Sequence, residues 1–292
     1  MSPRIAEECP LCGNPDAGVL CEFPELTWVT CGCGLVYKRD EEVPEVQYQE
    51  GYFGDGESSR RQYNKRTRRR ISKSRSQILD VLNHTPPGPL LDVGCSLGYT
   101  LQAAVDLGLP ATGVDISEHA VKVCRERGFA AEIGTFHELP FDDGSFQLVI
   151  MKHVLEHTPR PREALREIRR VLRPGGGVFI AVPHGGYLKA RLNPTGYRWY
   201  RPELRGAEHY VYYKPATLSR LLRDECFDPV HGPHPHLVHR RAGLGRKAAE
   251  IAIAPLRFAA QRARSLMALD KEFWVTAVRR EISDEAPCKL AG

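Results

Sequence analysis

Between Gly88 and Pro183 short apolar runs alternate with amphipathic segments, the pattern of parallel strands joined by crossover helices. Leu90-Leu91-Asp92-Val93 reads as the first strand, followed by a glycine-bearing turn and a helix through Gln102 to Leu107. Ala111 to Asp115 reads as the second strand. Ser117 supplies an N-cap oxygen for a helix that buries Ala120, Val121 and Cys124 and stops at Gly128. Phe146 to Met151 is a buried strand. Ala164, Leu165, Ile168, Val171 and Leu172 fall at i, i+1, i+4, i+7 and i+8, which predicts a helix ended by Pro174-Gly175-Gly176, and Val178 to Val182 returns as a strand.

The flanking segments read differently. Glu41 to His84 is a charged connector whose Ile71, Ile78, Leu79 and Leu82 follow helical spacing, so one face packs. Its other face is basic, with nine Lys or Arg and no acid from Arg60 to Arg75, which fits a solvated surface first and an anionic substrate or nucleic acid second. His184 to Tyr213 is a loop-rich insertion holding Tyr187, Tyr197, Trp199, Tyr200, Tyr210, Tyr212 and Tyr213, and these aromatics are expected to cover a substrate. A helix from Pro215 to Arg223 follows. His231, His234, His236 and His239 are interleaved with Pro233 and Pro235, which breaks any i, i+4 pairing and favours a loop without metal. A basic helix through about Leu269 is expected to pack on the sheet, and Phe273 to Val278 to form a last strand in it.

In LLDVGCSLGYTL a strand runs into Asp92, Gly94, Ser96 and Gly98 and then into a helix. Such a turn lets a ligand approach the backbone, and the free N–H groups of a helix N-terminus suit an anionic group. Asp115 lies 21 residues beyond Gly94, where an acid accepts hydrogen bonds from ribose hydroxyls. Ser96 at the second glycine position argues against a dinucleotide.

ELPFDDGSFQLVIMKHVLEH and RRVLRPGGGVFIAVP decide between nucleotide types, because over Leu90 to Pro183 the chain resembles the class I S-adenosylmethionine-dependent methyltransferases of small-molecule type. HYVYYKPATLSRLLRDECF is similar to the segment that leads into their sixth strand. The resemblance implies an α/β fold with a Rossmann-like seven-stranded, mostly parallel sheet and helices on both faces. It places Asp92, Gly94, Cys95, Ser96 and Gly98 around the methionine end of the cofactor, Asp115 on the ribose, and Ile116, Thr135 and Phe136 at the adenine. Lys152 and His153 would end the fourth strand beside the methionine amino group. Where the acceptor carries a proton, His157, His153 and His209 are the imidazoles to test as its base.

Cys9-Pro-Leu-Cys12-Gly13 and Cys31-Gly-Cys33-Gly34 each put glycine after the second cysteine, a turn that aims N–H groups at thiolates on a structural zinc ion. The one-residue spacing of the second pair leaves open whether Cys21 replaces Cys31. The arrangement looks like a bacterial-type subgroup with a zinc-ribbon arm ahead of the methyltransferase domain, in which GLVYKRD leads to an aromatic element, here Tyr48 to Phe53. The organisation expected is a zinc-ribbon-like module over 1–40, a helical connector and cofactor lid over 41–84, and a methyltransferase domain over 85–292 with its aromatic insertion at 184–214.

A length of 292 residues and 42% hydrophobic content support a core of that size, and the formal charge of +5 is too mild to imply nucleic acid. No apolar run is long enough to span a bilayer, and MSPRIAEECP lacks a signal-peptide pattern, so a soluble cytoplasmic protein is expected. The function expected is methyl transfer to an oxygen, nitrogen or carbon of a small molecule, a sugar or secondary metabolite among them. The alternative is a nucleic-acid-binding or nucleic-acid-modifying protein that uses the zinc ribbon and the basic helix. Acceptor and oligomeric state are not written in the sequence.

Overall fold

A computed structural model describes residues 8–24, 26–39, 57–193, 200–201, 209–230 and 271–281. Strands β1 (Ala17–Phe23), β2 (Leu26–Cys31) and β3 (Val36–Arg39) form an antiparallel meander, and α1 (Glu57–Leu82) leads to the central sheet. There β4 (Leu90–Val93), α2 (Tyr99–Val105), β5 (Ala111–Asp115), α3 (Glu118–Glu126) and β6 (Ala130–Ile133) run outward to one edge. The chain then returns past β4 through β7 (Phe146–Lys152), α4 (Pro161–Val171) and β8 (Leu172–Pro183). After α5 (Leu188–Leu192), β9 (Val211–Tyr212) and α6 (Pro215–Asp224), the sheet is completed by β10 (Phe227–Val230) and β11 (Glu272–Arg279).

Its strand order is β10-β11-β8-β7-β4-β5-β6, parallel throughout except where β11 inserts antiparallel between β8 and β10. This is the expected Rossmann-like seven-stranded sheet. Successive residues of the inner strands enter opposite cores, as strand geometry requires. Leu90, Leu148, Ile150 and Phe179 pack with Ile78 and Val81 of α1, while Leu91, Val149, Met151 and Ile180 pack with Leu165 and Ile168 of α4. Each such fully buried side chain contributes about 1.5–3 kcal/mol. Because the chain turns one way after β4 and the other way after β7, a crevice opens at the carboxyl ends of these strands.

Several local expectations shift. The helix after β4 starts at Tyr99, directly behind Gly98, and ends at Val105 instead of Leu107. Leu172 leaves α4 and already belongs to β8: Pro174 disfavours the helical region at Arg173 and its ring would clash with the Arg170 carbonyl in a continued helix, and Pro-Gly-Gly is absorbed inside the strand. β6 has no apolar run to announce it, being an edge strand with three of its four residues exposed. Tyr187, Tyr200, Tyr210, Tyr212 and Tyr213 do not hang over the crevice; they are buried, and Tyr200 and Tyr212 pack on Trp28 with ring centroids 5.5 and 5.0 Å away. Tyr197, Trp199, the Tyr48 to Phe53 element, the four histidines from His231 to His239 and the basic helix through Leu269 lie outside the described residues. Among the described residues no helix is long and apolar enough to cross a membrane.

The N-terminal strands are built onto the larger unit. β9, from the insertion, pairs antiparallel with β3, and Trp28 Nε1 donates to the Tyr200 carbonyl at 3.1 Å. Arg162 of α4 donates to the Leu11 carbonyl and pairs with Asp224 at 2.9 Å and Glu225 at 2.8 Å, all three side chains being at most 20% exposed. Removing one partner of a buried pair strands the other charge. Arg162→Ala is therefore expected to destabilise the protein by about 3 kcal/mol, read as a lower urea midpoint with unchanged slope; an unshifted midpoint would contradict this docking.

Candidate active site

Val93 hands the chain to Gly94, where both φ of +72° and crowding exclude a side chain: a Cβ there would lie 2.5 Å from Val154 Cγ2. Ser96 follows at φ +48°, a left-handed position that costs a residue with a side chain roughly 1–2 kcal/mol. Its N–H donates to Asp115 Oδ2 at 2.8 Å, while Ser117 N–H donates to Oδ1 at 3.0 Å. One carboxylate thus ties the turn after β4 to the start of α3. Burial raises the pKa of Asp115, and these N–H groups pull it back.

Two cavities flank the turn. One, of about 210 Å³, is lined by Asp115, Ile116, Gly134, Phe136, Val154 and His157 among others. The other, of about 230 Å³, is lined by Arg70, Lys73 and Ser74 of α1 with Asp92, Tyr99 and Thr100. Gly94, Ser96, Lys152 and His153 border both. Cys95 borders the second cavity but is itself buried, its Sγ 3.9 Å from Cys124 Sγ. Gly98 stands behind the turn against Phe129 and Cys124. Thr135 is exposed, bridges to Glu138 and is not among the lining residues, whereas its neighbours Gly134 and Phe136 are.

The basic helix face, for which an anionic substrate was the second reading, holds two cavity residues that the sequence did not single out. Its polar residues looked like solvated surface, yet Arg70 and Lys73 line the second cavity. Arg70 donates to the Tyr99 hydroxyl at 3.2 Å with its guanidinium over the ring. Lys152 Nζ donates to Thr100 Oγ1 at 2.7 Å and to Ser74 Oγ at 3.0 Å; burial lowers its pKa while Asp92 acts the other way. Burial pushes the Asp92 carboxyl up to about 7 against the pull of Lys152.

At the end of β7, His153 adopts φ +54° and sits between two carboxylates, with Nδ1 3.3 Å from Glu156 Oε1 and Nε2 2.9 Å from Glu272 Oε2. Glu272 also takes Lys73 Nζ at 2.7 Å. Burial works against the imidazolium, but the two acids lift it to about 9, and His153 in turn holds Glu272 down to about 2. His157 borders the first cavity, and its ring lies 4.8 Å from that of the buried His209. His209 reaches this place because Tyr210 N–H donates to the Glu156 carbonyl at 2.8 Å, a long-range contact that the sequence does not signal.

The sulfurs of Cys9, Cys12, Cys31 and Cys33 all lie within 4.8 Å of one another, with Cys9–Cys33 at 3.7 Å and Cys12–Cys31 at 3.5 Å. Cys21 is buried elsewhere, beside Trp28 and Leu26.

A histidine whose pKa is raised in the fold contributes stability fully below its unfolded value of about 6.5 and loses it as pH rises through the folded value. The contribution of His153 is therefore expected to fade between about pH 6.5 and about 9. Titration of its Cε1–H by NMR should report the high value in the wild type and a lower one in Glu272→Gln; equal values would exclude the carboxylate pairing as the cause.

Residues 91–180 match a family model described as a methyltransferase domain. The 37.1 kDa protein of transposon TN4556 from Streptomyces fradiae is 38% identical over 117 residues, covering 37% of this chain and 34% of that protein. A ubiquinone biosynthesis O-methyltransferase of Thiobacillus denitrificans is 31% identical over 144 residues, 46% of this chain and 62% of that enzyme. The chain thus spans between a third and three fifths of these curated relatives. In fold it is similar to an S-adenosylmethionine-dependent methyltransferase from Archaeoglobus fulgidus, with a TM-score of 0.50 at 18% identity over 77% of this chain and all of the other. The stretch that matches the methyltransferase-domain model, Leu91 to Ile180, holds the turn, the Asp115 carboxylate and the Glu156 segment.

Proposed function

We propose that the chain transfers a methyl group from S-adenosylmethionine to an oxygen, nitrogen or carbon of a small molecule, a sugar or secondary metabolite among the candidates, and that its N-terminal strands carry a structural zinc ion. The observation that carries this reading is the pair of cavities meeting at Gly94 and Ser96, whose unlike chemistries suit the two ends of one zwitterionic nucleoside. Asp115 keeps acceptor sites beside those used by Ser96 and Ser117, enough for ribose hydroxyls. Ile116 and Phe136 offer apolar faces to adenine. The backbone from Gly94 to Ser96 borders the methionine part, with Lys152 and His153 at its amino group and Arg70 and Lys73 facing its carboxylate.

The bound cofactor supplies an already activated sulfonium methyl group. The residues of the chain need only hold acceptor and methyl carbon in line, and such alignment removes up to roughly 7–11 kcal/mol from a barrier. His153 is unsuited as the proton acceptor, because its carboxylate partners keep it already protonated at neutral pH. His157 borders the cavity and is the better placed proton acceptor, with His209 behind it.

Four thiolates about 2.3 Å from a tetrahedral zinc ion stand about 3.8 Å apart, close to the 3.5 and 3.7 Å separations of the two sulfur pairs. The hydrogen bond from the Cys9 thiol already draws Cys33 down to about 5.

Calorimetry with S-adenosylhomocysteine is expected to show micromolar binding that Asp115→Ala weakens by about tenfold or more; unchanged binding would remove the ribose assignment. Arg70→Ala with Lys73→Ala should weaken binding and flatten its salt dependence. Metal analysis of the purified protein is expected to find one zinc held by the cysteine cluster, lost in Cys33→Ser together with a lower thermal midpoint, and a zinc content that ignores this substitution would refute the cluster as its site.

A further inference from the structure

The turn Leu155–His157 holds a buried carboxyl group that the methyl-transfer reading leaves unused. Glu156 is 0% exposed, and the imidazoles of His153, His157 and His209 lie close to its carboxyl group. His153 Nδ1 is in ion-pair range of Oε1 at 3.3 Å, but neither oxygen receives a hydrogen bond among the described residues. Buried carboxylate oxygens that accept no hydrogen bond keep lone pairs open to a further cation beside His153.

Two imidazoles converge on it. His157 follows in the chain, and His209 arrives from the insertion, so that one ligand atom from each of Glu156, His157 and His209 lies within 4.8 Å of the others. The Tyr212 hydroxyl lies 3.0 Å from His209 Nδ1, the kind of contact that steadies a metal-bound imidazole at its other nitrogen. Donors on a common ion at about 2.1 Å stand no more than about 4.2 Å apart, so small side-chain rotations close the site.

We propose that Glu156, His157 and His209 bind one divalent first-row transition ion whose open positions face the cavity that His157 borders. Two imidazoles and a carboxylate suit manganese, iron, cobalt, nickel or zinc, in contrast to the all-oxygen sites of calcium and magnesium. Combined with the methyl-transfer reading, on which this step rests, the ion selects an oxygen acceptor: a hydroxyl with a second oxygen donor beside it, chelating the metal. With the ion bound, His157 serves as a ligand instead of as proton acceptor, and the hydroxyl gives its proton to solvent water on coordination. Its oxygen then attacks the methyl carbon, the C–O bond forms as C–S breaks, and the C–S electron pair stays on sulfur as the neutral thioether.

The test uses the full-length protein with its cysteine site zinc-loaded. Added Mn²⁺, followed by loss of the free-ion EPR signal, and added Co²⁺, followed by the weak d–d bands of an oxygen and nitrogen site, are expected to bind at one equivalent. Glu156→Gln and His209→Gln should each weaken binding by about tenfold or more with the circular dichroism melt retained. The inference is overturned if neither ion binds the wild type below millimolar concentration, or if the Gln variants bind as the wild type does. S-adenosylhomocysteine calorimetry without the added ion separates the two readings: nucleoside binding without ion binding strikes only the metal site, and ion binding without nucleoside binding strikes the proposed reaction.

Discussion

At the carboxyl end of the central sheet the backbone of Gly94 approaches Val154 so closely that no Cβ fits between them. That contact fixes how the turn after β4 meets the segment after β7. With Gly94 seated on Val154, Ser96 is carried into a left-handed conformation whose N–H points at Asp115, and Lys152 and His153 are brought to the wall that both cavities share. The strain at Ser96 is offset by a hydrogen bond to a charged acceptor, which is worth about 1.5–3 kcal/mol. A carboxylate that can hold the turn while keeping lone pairs for a ligand does two jobs with one side chain.

The parallel sheet was legible because strands buried on both faces read as nearly continuous apolar runs, and Leu90 to Val93, Phe146 to Met151 and Val178 to Val182 do so with only Asp92 and Gln147 interrupting them. Asp115 was legible for a related reason, since an acid at the end of a short apolar strand has no place in the core. Periodicity tells which face of a helix is polar but not what that face meets, so Arg70 and Lys73 looked like surface. β6, with one buried residue, carries almost no hydrophobic signal. His209 was named for its place in the insertion; its meeting with Glu156 depends on the pairing of β9 with β3, and strand pairings between distant segments leave no local trace.

Charge links the cover of the second cavity to the interior. Lys73 on α1 pairs with Glu272 on β11, Glu272 pairs with His153, and His153 faces Glu156. The first pair is exposed and worth little by itself. The inner members are another matter, because Glu156 has no access to water and must balance its charge locally. His153 is therefore better understood as a counter-ion than as a base, and its left-handed backbone is the conformation that sets it between two acids from different elements.

The same reasoning gives the N-terminal strands a part in the site. A two-residue strand such as β9 gains little from its own hydrogen bonds and needs a partner that is already fixed. β3 provides it, and β3 is held in turn by Trp28 and Tyr37 in the core and by a tight turn whose Gly34 N–H donates to the Cys31 carbonyl at 2.9 Å. From β9 the chain reaches Tyr210, whose N–H meets the Glu156 carbonyl, and Tyr213, whose hydroxyl donates to the Leu155 carbonyl at 3.4 Å. The cysteine cluster, the meander and the insertion form one mechanical path that ends at His209. Loosening the cluster would cost more than a small module, since the histidine opposite Glu156 would lose the strand that positions it.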